Sequence, residues 1–198
     1  MLCGEKAIFW EKEQLLLISD VHLGKAGHFR KSGVPVPAHV HFGDLVRLSA
    51  LIKTYEPVRV VFLGDLFHSD YNQDWDHFCD WLERYSSVNF TLIRGNHDIL
   101  YKIDYINAGI ELIDELRLSP FSFTHEKELS DLYNFSGHLH PSVRLRGQAR
   151  QSLNLPCFYF SDRHALMPAF GTFTGYVAIE PARSDQVFVV AEKQVIKV

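Results

Sequence analysis

Two kinds of pattern divide the chain. Short runs of β-type apolar residues recur at 7–10, 15–19, 58–63, 88–94, 121–124, 132–135, 142–145, 153–160, 176–180 and 187–191. Between the early runs the apolar positions take helical spacing instead. Residues 39–55 place Val40, Leu45, Leu48, Leu51 and Ile52 on one stripe, and Pro57 ends it. Residues 74–85 do the same with Phe78, Trp81 and Leu82, and residues 99–107, closed by Gly109, read as a third helix. The second half of the chain has almost no helical period. Early runs such as LLLIS and VRVVFL are apolar without a break, which implies burial of both faces. Strand–helix alternation followed by strands alone predicts two stacked sheets flanked by helices. No repeat, low-complexity stretch or Gly/Ser linker interrupts residues 1–198, which read as one domain.

The residues just past these runs carry the chemistry. LLLIS leads into Asp20-Val21-His22, and VVFL into Gly64-Asp65. FTLIR leads into Gly95-Asn96-His97-Asp98, FSFT into His125, and LYNFS into Gly137-His138-Leu139-His140. In α/β folds the carboxyl ends of strands are where ligands bind. Carboxylate, amide oxygen and imidazole together suit divalent metals such as Mn, Fe or Zn, and no cysteine takes part. Asp20 with His22, and His138 with His140, alternate along extended segments and can grip an ion from one side. Asp65 is the central candidate to bridge two ions. Two divalent cations, offset in part by Asp20 and Asp65, leave positive charge for a phosphate ester and can lower the pKa of a shared water. His97 follows a ligand and can serve as a proton donor to the leaving oxygen; Asp98 is expected to orient its ring.

The motifs D-x-H, G-D, G-N-H-D, a lone H and G-H-x-H, in that order, resemble those of the calcineurin-like metallophosphoesterases. The resemblance implies a four-layer α/β/β/α sandwich of two mixed sheets flanked by helices. It implies one metal on Asp20, His22, Asp65 and His140, and a second on Asp65, Asn96, His125 and His138. Mn is the first expectation for both, with Fe, Zn, Mg and Ni as other fits. The stretches DVHLGKAGHFRKSGVPVP (20–37) and LMPAFGTFTG (166–175) are similar to the bacterial ligase-associated DNA-damage-response phosphoesterases. That narrower resemblance implies a phosphodiesterase or endonuclease acting on DNA, associated in function with a DNA ligase, a helicase and an exonuclease.

Charge and composition bear on the substrate. A net charge of -4 argues against a general nucleic-acid coat, though not against a local basic patch. His28 and Arg30, with Lys25 and Lys31, sit in a Gly-rich loop and are candidates to hold a phosphate; His68 is a further substrate-binding candidate. Arg144, Arg146 and Arg150 form a basic run that reads either as a solvated strand edge or as a surface beside the site. Cys3, Cys79 and Cys157 are widely spaced, and the amino terminus is charged, so a cytoplasmic protein away from membranes is expected. Two rivals stand beside the DNA reading. One is hydrolysis of a small phosphodiester or nucleotide-sugar pyrophosphate, since ISDVHLG also resembles the UDP-diacylglucosamine hydrolases. The other is a non-catalytic scaffold, which would tolerate lost ligands, whereas every position here is filled.

Overall fold

The computed structural model describes residues 1–25, 40–147 and 151–198, with side chains in the first helix from Gly43 onward. The first sheet has six strands in sequential order: β1 (Leu2–Cys3), β2 (Ala7–Trp10), β3 (Leu15–Ile18), β4 (Arg59–Leu63), β5 (Asn89–Ile93) and β6 (Ile110–Ile113). β1 to β3 pair antiparallel and β3 to β6 pair parallel. The parallel crossovers run through α1 (Val40–Tyr55), α2 (Gln73–Glu83) and α3 (Lys102–Asn107). Asn72 caps α2, its side chain accepting the Asp74 amide at 2.8 Å.

The second sheet has the order β13 (Val177–Ala178), β10 (Pro141–Arg146), β11 (Ser152–Phe160), β12 (His164–Leu166), β9 (Tyr133–Ser136), β8 (Phe121–Phe123) and β7 (Leu116–Leu118). The hairpin β14 (Gln186–Ala191) and β15 (Gln194–Lys197) joins it by pairing with β11.

The unbroken apolar runs are buried on both faces, as their composition requires. In β3, Leu16 and Ile18 join Leu48, Ile52, Phe78 and Trp81 under the helices. Leu15 and Leu17 point the other way, into a core shared with Phe123, Phe135, Phe158 and Met167 of the second sheet. The fold is therefore a sandwich of two mixed sheets. Its helices among the described residues all pack on the first sheet. The outer face of the second sheet carries a small apolar cluster, Val143, Cys157, Val187 and Val189.

Sequence pattern located ten strands and three helices, with ends shifted by a few residues. It did not locate β1, β6, β7, β12 and β15, which are short or half-exposed. Among the described residues no helix is long and apolar enough to cross a membrane.

Candidate metal centre

β3, β4 and β5 are parallel, so their carboxyl ends share one edge of the first sheet. β8 and β9 are also parallel. The residues just past all five ends converge. Donor atoms of Asp20, His22 and His140 lie within 4.8 Å of one another, and so do those of Asp65, His125 and His138. Asp65 stands between the triads. Its Oδ2 is 3.6 Å from His22 Nε2 and its Oδ1 is 3.5 Å from His125 Nε2. Asn96 Oδ1 is 2.9 Å from His125 Nε2, which places it with the second triad.

Local backbone geometry aims these side chains. Asp20, His22, Asp65, His138 and His140 all have positive φ, between 49° and 65°. That left-handed conformation is unfavourable for non-glycine residues and collects at functional sites. Gly64 also has positive φ, and a methyl group on it would overlap the His125 ring. A methyl group on Gly137 would overlap Ser19 Oγ.

Ring orientation is set by hydrogen bonds at the other nitrogen. His125 Nδ1 lies 2.9 Å from the Leu63 carbonyl and must donate to it, leaving Nε2 as an acceptor. His140 Nδ1 likewise donates to the Gly175 carbonyl at 3.1 Å. His22 Nδ1 is 3.0 Å from His68 Nδ1, so its Nε2 also faces the centre. Asp20 is wholly buried, hydrogen-bonded by Ser19 Oγ and by the His138 amide at 3.0 Å.

The donor set fits metal ions. His22 Nε2 and His140 Nε2 are buried without a hydrogen-bond partner. The Asp20 oxygen 3.3 Å from His140 Nε2 does not have hydrogen-bond geometry. In the second triad the acceptors His125 Nε2 and Asn96 Oδ1 meet at 2.9 Å, with His138 Nδ1 at 3.1 Å. Imidazole nitrogens, carboxylates and an amide oxygen converging at these distances suit a cation. Burial, then the Lys25 ammonium and the neighbouring imidazoles, push the His22 pKa down to about 2, which favours the neutral ligand form. Burial also disfavours charge on His140, but the Asp20 carboxylate outweighs it and holds that imidazole above its ordinary value.

His97 lies beside the first triad, exposed, with its ring centroid 4.0 Å from that of His68 and 5.5 Å from that of His22. Its amide donates to Asp65 Oδ1 at 2.9 Å. The expectation that Asp98 orients the His97 ring is corrected. Asp98 Oδ2 accepts the amides of Asp65 and Gly95, both at 2.8 Å, and Oδ1 accepts those of Leu66 at 2.9 Å and Phe67 at 3.1 Å. A carboxylate has about four acceptor sites, and all are used on backbone. Burial raises the Asp98 pKa to about 6 in spite of these bonds. Asp98 thus ties the Asp65 loop to the Asn96 loop. His28 and Arg30 lie outside the described residues. His164 belongs to neither triad and pairs with Ser161, its Nδ1 2.6 Å from Ser161 Oγ.

A supporting layer comes from within the 166–175 stretch, whose role the motifs do not disclose. Residues 170–175 line the centre: the Phe170 and Gly171 amides donate to the Ser19 and Asp20 carbonyls at 2.8 and 3.0 Å. Buried Asp44 of α1 accepts Thr172 Oγ1 at 2.7 Å, and Arg47 donates to the Phe170 carbonyl at 2.8 Å. This segment carries the Gly175 carbonyl that orients His140.

Five strand ends delivering two His/Asp triads joined by a shared aspartate define a dinuclear metallohydrolase. Residues 14–173 match the calcineurin-like phosphoesterase family, and the chain belongs to it: it is a metal-dependent phosphoesterase. Among solved structures, the Pseudomonas putida nuclease MPE is 30% identical with a TM-score of 0.79, covering 100% of this chain and 93% of that one. The phosphoesterase Yfce from E. coli is 15% identical with a TM-score of 0.48, over 93% of this chain and 97% of that one, too slight a likeness to argue from. The comparison with curated proteins gives no match.

Proposed function

We propose that the chain is a phosphodiesterase that cuts DNA, with Asp20, His22, Asp65 and His140 holding one ion and Asp65, Asn96, His125 and His138 the other. The observation that carries this is the two-triad centre on a chain alike over its whole length to a nuclease. Bound there, two divalent ions would bind the phosphate oxygens and lower the pKa of the attacking water. Asp65 holds one oxygen toward each triad and would thereby help hold both ions. His97, exposed beside the first triad, donates a proton to the departing oxygen, with the His68 ring tilted against it at 4.0 Å. The mixed imidazole and carboxylate donors favour Mn over the all-oxygen preference of Ca. A role in DNA repair beside a ligase, helicase and exonuclease rests on the narrower motif resemblance, and a cytoplasmic location on the widely spaced cysteines and charged amino terminus.

The test is a comparison of hydrolysis rates on single- and double-stranded DNA, bis-p-nitrophenyl phosphate and p-nitrophenyl phosphate with Mn titrated in. DNA cleavage that rises with two equivalents of Mn is expected. Hydrolysis of the nitrophenyl diester without any DNA cleavage would transfer the reading to a small phosphodiester or nucleotide-sugar pyrophosphate. No hydrolysis of either would leave a scaffold.

A further inference from the structure

The hairpin β10–β11 has a placement that its sequence does not disclose. β9 and β12 are parallel, β12 and β11 antiparallel, and β11 and β10 antiparallel. β10 therefore runs in the same direction as β9. β9 ends at Ser136, the two ligand histidines come next, and β10 begins at Pro141. The chain thus continues past the ligand edge instead of turning back beside β9. β11 shows the same offset. Cys157 to Phe160 pair with β14 inside the sheet, while the residues from Ser152 to Pro156 pair only with β10. Five residues at strand rise make an arm on the order of 17 Å long beyond the metal-ligand edge.

The two faces of this arm differ. Residues opposite each other in an antiparallel pair share a face. Val143 faces with Leu155, and both belong to the outer apolar cluster. Arg144 faces with Asn154 and Arg146 with Ser152, in register with Phe158, which packs toward the first sheet. Within the sheet this inner face is apolar; on the arm it becomes polar and cationic. Arg144, Arg146, Ser152 and Asn154 are exposed, and among the described residues no carboxylate pairs with either arginine. Both arginines line a cleft of about 390 Å³ with Gly147, Gln151 and Ser152. A solvated strand edge would not need its cations on the one face that turns toward the metal-centre side.

We propose that the inner face of the β10–β11 arm is a track for the DNA backbone, Arg144 and Arg146 each holding a phosphate away from the one that is cut. The arginines lie roughly 6.7 Å apart along the strand, so they meet separate groups of an extended polyanion. The proposal rests on the DNA reading above, and the experiment separates the two. In Mn-loaded enzyme, kcat/KM for a short single-stranded DNA is measured over a salt series for the natural protein, R144A/R146A and R144K/R146K. Losing two phosphate contacts should lower the log–log salt slope by about 1.4 and weaken kcat/KM about 25-fold near 0.1 M salt, mainly through KM. The lysine pair should keep most of the slope, since the charge is kept. Bound metal and the urea midpoint of each variant are measured alongside.

A natural enzyme that cuts DNA together with an alanine variant of unchanged slope and KM would overturn the arm proposal alone. An equal fold-loss on bis-p-nitrophenyl phosphate, or lysine variants as impaired as alanine ones, would overturn it as well. A natural enzyme that does not cut DNA would remove the DNA reading and this proposal with it.

Discussion

Replacing Asp98 by Asn tests the reading of the centre most sharply, because the change is isosteric and its cost can be counted. The carboxylate accepts four buried backbone amides, two on each oxygen. Asparagine keeps one accepting oxygen and turns the other into a donor. Two amides then face an NH₂ group: either those of Asp65 and Gly95, or those of Leu66 and Phe67. Each buried amide left unsatisfied costs about 1–3 kcal/mol, so Asp98→Asn should lose about 2–6 kcal/mol. Domains of this kind have only about 5–15 kcal/mol in hand. Urea unfolding of the metal-free protein near pH 8 reads the loss as a lowered midpoint with an unchanged slope. Bound metal should fall too, since the Asp65 and Asn96 loops are no longer tied together. A variant within about 0.5 kcal/mol of the natural protein, with full metal content and only slower turnover, would refute this account and return Asp98 to the role of ring-orienter for His97.

Two further outcomes are expected. His97→Ala should keep both metals, because His97 lies outside both triads, and should lose about 10²–10⁴-fold in turnover on a poor leaving group but far less on a nitrophenyl ester. Equal losses on both substrates would make His97 a charge stabiliser, and loss of metal would make it a ligand. Exhaustive chelation should abolish hydrolysis, with Mn restoring it better than Ca; full activity in excess EDTA would exclude a metal mechanism.

The sequence reveals the candidate centre because the proposed ligands are side chains at the ends of apolar runs. Asp20, His22, Asp65, Asn96, His125, His138 and His140 each come after a strand that burial forces to be hydrophobic, so the break in pattern marks them. What orients them is backbone: the carbonyls of Leu63 and Gly175 leave no trace in residue type. Asp98 was misassigned for the same reason. Three of its four partners are main-chain amides 31 to 33 residues away, while His97 is its neighbour in sequence. β12 stayed hidden because it is only three residues long, and β15 because mostly exposed positions need no apolar run. Arg144 and Arg146 were visible as a basic run, but the face they occupy depends on the register of β10 with β11, which pattern does not specify.

The two sheets meet along a broad apolar interface, yet the ligands are divided between them. Asp20 and His22 come from one leaf and His140 from the other; Asp65 and Asn96 face His125 and His138 in the same way. An ion held by either set would thus clasp one margin of a closed book. Loading such ions and closing that margin would form a single equilibrium, so tighter metal binding would mean rarer opening there. At the far margin Trp10 packs edge-on against Phe121, with ring centroids 5.0 Å apart, and local opening of the amides there should not register whether the clasp is shut.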